Sequence, residues 1–237
     1  MLAVITTPKI PEFGKILPKL KLRGKHFGEI ISEPQVHQSV FSKVKRLIDI
    51  LGALVGLAIT GMLVPFIAIA MQIDSPGPIF YSQTRCGVNG KKFKIWKFRS
   101  MIVDADKQKH LVKNEAKGHI FKNENDPRIT RVGKFLRKTS LDEFPQFWNV
   151  LKGDMSLVGT RPPTPDEVAK YSKHHFDRLR VKPGITGEWQ VKGRSTVKDF
   201  EEIVKMDLAY QQNWSITYDI YLIVQTIVAV IARKGAY

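Results

Sequence analysis

Two adjacent acids, Asp142 and Glu143, stand in the run Ser140-Leu141-Asp142-Glu143-Phe144-Pro145. Leu141, Phe144, Phe147/Trp148 and Leu151 recur at helical spacing and mark one apolar face, which leaves both acids off that face in the first turn. Ser140 with Glu143 three residues later has the form of a helix capping box, and acids are favoured at helix N-termini in any case. The same position can also do chemistry. Unpaired N–H groups and positive potential at a helix start hold a diphosphate and keep an Asp ionised as a nucleophile. The neighbouring carboxylate is then free to hold Mg²⁺, which phosphate-handling sites recruit through one or two acids. From spacing alone both readings stay open.

Cations that could serve such a site lie upstream. Pro76-Gly77-Pro78 is a turn, and two short apolar stretches, Ile79–Tyr81 and Phe93–Phe98, flank Gly87-Val88-Asn89-Gly90, the pattern of a hairpin. Strand alternation puts Lys92 and Lys94 on one face of the second strand, and Lys97 and Arg99 on the other. Such a face suits a phosphorylated nucleotide or lipid headgroups equally. Further on, Arg128, Arg131 and Lys134 would make a helical cationic stripe, with Val132, Phe135 and Leu136 turned to a core. His110 and His119 have no third ligand nearby in sequence, which argues against a metal role for them.

These elements must be held near something apolar. Ile50 to Met71 is a 22-residue run without a charge. As a helix it is long enough to cross a bilayer, and it is apolar all round. Both flanks are basic: residues 1–46 hold nine Lys/Arg against three acids, and Arg85 to Arg99 supply more. A single crossing would put one cationic side outside, and Pro65 would bend the helix midway. The reading is therefore a re-entrant segment that enters and leaves on one side. The C-terminal run, apolar from about Tyr218 to Ala232 but carrying Asp219 and Gln225, fits an interfacial helix better than a crossing one, with a core helix the open alternative.

Composition narrows the rest. The 237 residues are 43% apolar with 38 Lys+Arg against 22 Asp+Glu, a formal charge of +16. That excludes a wholly disordered chain and implies an anionic partner: nucleic acid, anionic lipid or a phosphorylated substrate. A lone Cys86 excludes an internal disulfide framework and a Cys-based zinc site. Nucleic-acid binding has no use for the uncharged run and shows no reading motif, so no nucleic-acid partner is expected. The division is a basic, poorly ordered arm (1–41), a membrane-embedded re-entrant helix (42–73) and a catalytic domain with interfacial helices (74–237). The fold class is α+β, mainly helical, with a small hairpin, around a membrane-surface site.

The runs KFRSM (97–101), DPRITRVGKFLRKTSLDEFPQFWNVLKGDMSLVG (126–159), Arg161-Pro162 and KPGITGEWQVKGR (182–194) resemble the bacterial sugar transferase family, the monotopic polyprenyl-phosphate phosphoglycosyl transferases. The resemblance covers roughly residues 42–237, without the multi-helix N-terminal region of larger members. It implies transfer of a sugar-1-phosphate from a UDP-sugar to undecaprenyl phosphate, with UMP released, as the first step of exopolysaccharide assembly. The expected place is the cytoplasmic face of a bacterial inner membrane, with anionic lipids as further partners and a homo-oligomer left open. By the resemblance Asp142 is the nucleophile, Glu143 its Mg²⁺-associated neighbour, and Asp207 (with Tyr210) completes the metal or nucleotide site. Arg161, Lys97, Arg99, Arg194 and Gln190 are the implied substrate-phosphate contacts. Two departures bear on this: Thr160 replaces the usual Pro before Arg161, and Glu188 sits where an apolar residue is more common. The alternative is a non-catalytic basic membrane scaffold, which leaves the long motifs without a purpose.

Overall fold

The computed structural model describes residues 36–121, 123, 125–193, 197 and 199–232. The sequence-predicted basic arm lies outside the described residues up to 35; from there the chain is already tied down. His37 N–H donates to Arg180 O at 2.9 Å, its ring meets Trp214 edge-on, and a 3₁₀ turn at Gln38–Val40 leads to Ser42. Ser42 caps the first helix by accepting the Lys45 N–H.

That helix, α1 (Lys43–Asp74), runs as one element through Pro65. Pro65, expected to bend the helix, does not interrupt it. What decides its disposition is packing along its whole length. At the start, Lys45 Nζ donates to Asp219 Oδ2 (2.6 Å) and Val158 O (3.0 Å), and Arg46 donates to Val150 O and Leu151 O. One turn on, Asp49 Oδ1 accepts from Ser156 Oγ and the Leu157 N–H. In the middle, Gly56 lies so close to Phe147 that a Cβ would sit 2.4 Å from the ring. Ile67 and Met71 then join Phe98 and Leu136 in one core cluster, and Asp74 Oδ2 accepts the Val132 N–H at 2.8 Å. The opposite face stays bare: Leu51, Val55, Met62, Phe66, Ile69 and Ile73 are all more than half exposed. An unbroken apolar face of this extent marks contact with a non-aqueous medium or a partner.

The hairpin forms as expected, β1 (Phe80–Cys86) antiparallel to β2 (Lys92–Phe98) with Phe80 opposite Phe98 and Cys86 opposite Lys92. Asn89 and Gly90 turn it with positive φ. The cationic stripe departs from expectation. Helix α2 spans only Arg131–Lys138, and Arg128 lies before it, buried against Asp126 at 2.6 Å. Val132 and Leu136 reach the core, whereas Phe135, expected to face it, is 58% exposed.

After α3 (Gln146–Lys152) come two three-residue strands, β3 (Ser156–Val158) and β4 (Gly184–Thr186), paired in parallel. The backbones meet so closely that a Cβ on Gly184 would lie 2.1 Å from Gly159 N, so only glycine fits there. Between them lies the short α4 (Pro165–Val168); α5 (Glu188–Lys192), α6 (Phe200–Gln212) and α7 (Ile216–Ile231) follow. Asp219, the acid that argued against a crossing α7, is 2% exposed and points inward. It receives Lys45, Tyr210 Oη (2.8 Å) and Trp214 Nε1 (3.1 Å). The outer face of α7 exposes Tyr221, Val224, Ile227 and Val228 beside that of α1 in character.

Removing one member of a buried ion pair strands the other charge. Lys45→Met should therefore cost about 3 kcal/mol of unfolding free energy in detergent micelles, and Lys45→Met with Asp219→Leu should recover most of it. Equal loss in single and double variants would show that the pair is not the clamp.

Candidate active site

Asp142 and Glu143 sit in a 3₁₀ turn, Leu141–Glu143, rather than in the first turn of a regular helix. Ser140 enters it at φ 57°, a left-handed conformation that costs a non-glycine residue about 1 kcal/mol. Its side chain makes no capping bond to the turn, so the capping box expected from Ser140 and Glu143 does not form. Pro145 then opens α3, and Leu141 and Phe144 pack into the core cluster beneath α1. Of the expected apolar face, Leu141, Phe144, Phe147 and Leu151 pack inward, but Trp148 is 48% exposed and Asp142, placed off that face by its spacing, is buried.

Glu143 faces Lys97 of β2, with Nζ 2.9 Å from Oε1 and both side chains about a quarter exposed. Beneath them Asn149 of α3, fully buried, accepts the Trp96 N–H and donates to Lys94 O, bonding like an extra strand on β2. That contact fixes the hairpin's cation against the turn's acids. Asp142 is 7% exposed. Arg137 of α2, which donates to Ser100 Oγ, lies in electrostatic reach of Asp142, Asp126 and Glu143; burial lowers its pKa against their pull.

Lys97 and Glu143 line a pocket of about 160 Å³ together with Arg85, Arg161, Trp189 and Gln190. Arg161 is held by Glu167 at 3.2 Å. Glu167 is also the capping-box acid of α4, accepting the Thr164 N–H at 2.8 Å. Thr160, in place of the proline expected before Arg161, does not loosen this loop. Its carbonyl accepts the Gly184 N–H and its hydroxyl donates to Arg178 O, while Cys86 N–H donates to Pro163 O. The loop carrying Arg161 is thus stitched to β4 and to the end of β1.

Bacterial sugar transferase is the family whose model matches, over residues 40–233. The chain belongs to that family. It is 54% identical over 194 residues to the galactosyl transferase CpsE of Streptococcus agalactiae, covering 81% of this chain and 43% of that protein. It is 43% identical to the undecaprenyl-phosphate galactose phosphotransferase of Salmonella typhimurium, covering 82% of this chain and 42% of that one. The exopolysaccharide production protein ExoY of Rhizobium meliloti is 39% identical, with 81% of this chain and 88% of that protein aligned. The chain thus spans less than half the length of the first two relatives and most of the third.

Of the residues the family resemblance implied, the structure brings Lys97, Glu143, Arg161 and Gln190 to one pocket. Arg99 is elsewhere: its guanidinium donates to Pro78 O, Ser75 Oγ, Ser75 O and Met101 O, closing the C-terminal end of α1. Asp207, 1% exposed, accepts from Arg178 Nε (2.7 Å) and pairs with Nη2 (2.6 Å), and Tyr210 belongs to the Lys45–Asp219 knot. Arg194 lies outside the described residues. The acids suited to a hard cation at this pocket are Glu143 and its neighbour Asp142, since Mg²⁺ takes one or two carboxylates and completes its shell with phosphate oxygens and water. Asp207 is committed to Arg178. A separate group, His174, His175 and Glu201, has its ligand atoms within 4.8 Å of one another. There the Ser172 N–H donates to His175 Nδ1, so the proton on its Nε2 bonds Glu201 where a metal would need a lone pair.

Sequence reading missed Arg85 and Trp189. Arg85 faces Phe93 in the register, and Tyr81 faces Lys97, so alternation puts Arg85 and Lys97 on one hairpin face. That parity was the available signal.

Burial pushes the Glu167 carboxyl upward, but Arg161, the Thr164 N–H and Arg85 outweigh it and hold its pKa below the ordinary value. Its stabilising contribution is present above the unfolded value of about 4.3 and is lost as pH falls through the lower folded one. Thermal unfolding from pH 6 downward should therefore fall more steeply for the native protein than for Glu167→Gln. Parallel curves would remove Glu167 as the acid-sensitive clamp on Arg161.

Proposed function

We propose that the protein transfers a sugar-1-phosphate from a UDP-sugar to undecaprenyl phosphate at a membrane surface. An Asp142 carboxylate oxygen bonds to the β-phosphorus as the bond from that phosphorus to the bridging oxygen breaks, and UMP leaves with the electron pair. A phosphate oxygen of the lipid then attacks the same phosphorus, the bond to Asp142 breaks, and the lipid-linked diphosphosugar departs with the aspartate restored. Lys97, held in place by Glu143, orients the diphosphate and Arg161 takes up the charge on its oxygens. Mg²⁺, if bound by Glu143 beside Asp142, would supply further charge neutralisation on the diphosphate.

The observation that carries this reading is the cationic pocket beside paired acids on a fold whose α1 keeps both ends on the same unit as that pocket. The names of relatives that act on undecaprenyl phosphate support the acceptor, and an exopolysaccharide protein among them supports the pathway class. With both ends of α1 on the catalytic unit, its bare apolar face would lie in one leaflet, and the basic flanks favour the cytoplasmic side of the inner membrane. A scaffold role would leave the charged pocket without use.

With UDP-galactose, UDP-glucose and other UDP-sugars, undecaprenyl phosphate and Mg²⁺ in detergent, Asp142→Asn should lower UMP release by at least about 10³-fold while its unfolding temperature stays near the native value. Native protein given the UDP-sugar alone should gain the mass of one phosphosugar on Asp142. Near-normal turnover by the variant would dismiss Asp142 as nucleophile.

A further inference from the structure

Each cation on the pocket wall except one has an acid against it. Lys97 has Glu143 and Arg161 has Glu167. Arg85 has no carboxylate within ion-pair distance among the described residues; Nη1 donates to Pro162 O at 2.9 Å and Nη2 to Gln83 Oε1 at 2.7 Å, both neutral acceptors. Its Nε is buried and, among the described residues, has no hydrogen-bond partner. Burial first, and then the neighbouring Arg161, push its pKa down to about 10, so it is still a cation at neutral pH. A buried guanidinium whose hydrogen bonds all go to neutral acceptors, set beside a second guanidinium, keeps charge for a ligand anion to share, with Glu167 and Glu143 acting on it only at longer range.

The same pocket carries two further unmet polar atoms. Trp189 Nε1 and Gln190 Oε1 are buried without a partner among the described residues, one a donor and the other an acceptor. A polyprenyl chain offers neither group a bond. A nucleoside offers both kinds.

We propose that Arg85 is a substrate-binding residue that joins Arg161 in gripping the diphosphate of the sugar nucleotide, at a subsite distinct from that of the lipid phosphate. The inference rests on the sugar-nucleotide reading above and adds a residue to it. The end of β1 supports the role: Arg85 Nη1 donates to Pro162 O and the Cys86 N–H to Pro163 O, so the last two residues of β1 are pinned to the loop that presents Arg161. The two guanidinium groups are thereby held as a unit before any ligand binds, which lowers the ordering cost of binding.

UDP is the probe, titrated calorimetrically into detergent-solubilised full-length protein, with steady-state kinetics alongside. In Arg85→Lys the charge remains and the planar fork is lost; UDP affinity should fall about tenfold. KM for the UDP-sugar should rise by a similar factor, with kcat and KM for undecaprenyl phosphate little changed. Arg85→Gln should weaken UDP further. A purely structural role for Arg85 would instead lower the unfolding temperature and impair both substrates together. Unchanged UDP affinity in a folded variant overturns the proposal, as does a rise confined to KM for undecaprenyl phosphate, or native protein that binds no UDP. If Arg85→Gln does not fold, Arg85→Lys decides. Native protein that binds UDP through Arg85 but transfers nothing would sink the proposed reaction and leave this subsite standing.

Discussion

The structure depends on keeping one long apolar helix bound to a highly charged unit without exposing the charges that bind it. The Lys45–Asp219 pair, 2.6 Å apart with both partners under 10% exposed, is the strictest instance. An isolated charge there would be prohibitive, so the site supplies further partners: Val158 O on the lysine, Tyr210 Oη and Trp214 Nε1 on the aspartate. This knot joins α1, β3, α6 and α7. Asp49 and Arg46 extend the seam along the next turn, and Asp74 with the Arg99–Ser75 contacts closes the far end. Polar groups thus bind the two ends of α1, while glycine and aromatic packing bind its middle. A helix so held is part of the unit's wall, and its apolar side becomes the unit's apolar side.

That seam also aims the chemistry. Gly56 admits Phe147, Thr60 Oγ1 lies 3.5 Å from Phe144 O, and Leu141 and Phe144 pack with Ile67 and Met71, so the turn that carries Asp142 and Glu143 rests directly on α1. Asn149 links the same helix α3 to β2 and so to Lys97. Glu167 and the stitched 160–163 loop deliver Arg161 from the other side. The pocket's Glu143 belongs to a turn whose neighbours Leu141 and Phe144 pack against α1, so pocket and apolar helix are tied through one set of contacts.

Much of this was legible in the residues. The uncharged run, the hairpin and the apolar C-terminal helix follow from local pattern, and local pattern is what short-range physics writes into sequence. The Lys97–Glu143–Arg161 grouping was reached through motif resemblance, because nothing in spacing says that residues 97, 143 and 161 meet. What was not legible has a common cause. The β3–β4 pairing rests on three-residue strands far apart in the chain, with glycines chosen for backbone approach instead of alternation. Arg99 and Asp207 carry motif positions, yet their partners, Ser75 and Arg178, are fixed by tertiary contacts alone. A charged residue's type announces that it will need a counterpart; only the fold says which.

Ser140 shows the limit from the other direction. Its sequence context fits a capping box, and local energetics would favour one. The structure instead gives it a left-handed backbone and gives Glu143 to Lys97. The strain at Ser140 is set against the packing of its neighbours as well as the Lys97–Glu143 pair. Leu141 and Phe144 pack beneath α1 beside that turn, in the same contacts that hold the long apolar helix. The conformation of the acidic turn is thus a consequence of how the helix is seated, and the two cannot be adjusted independently.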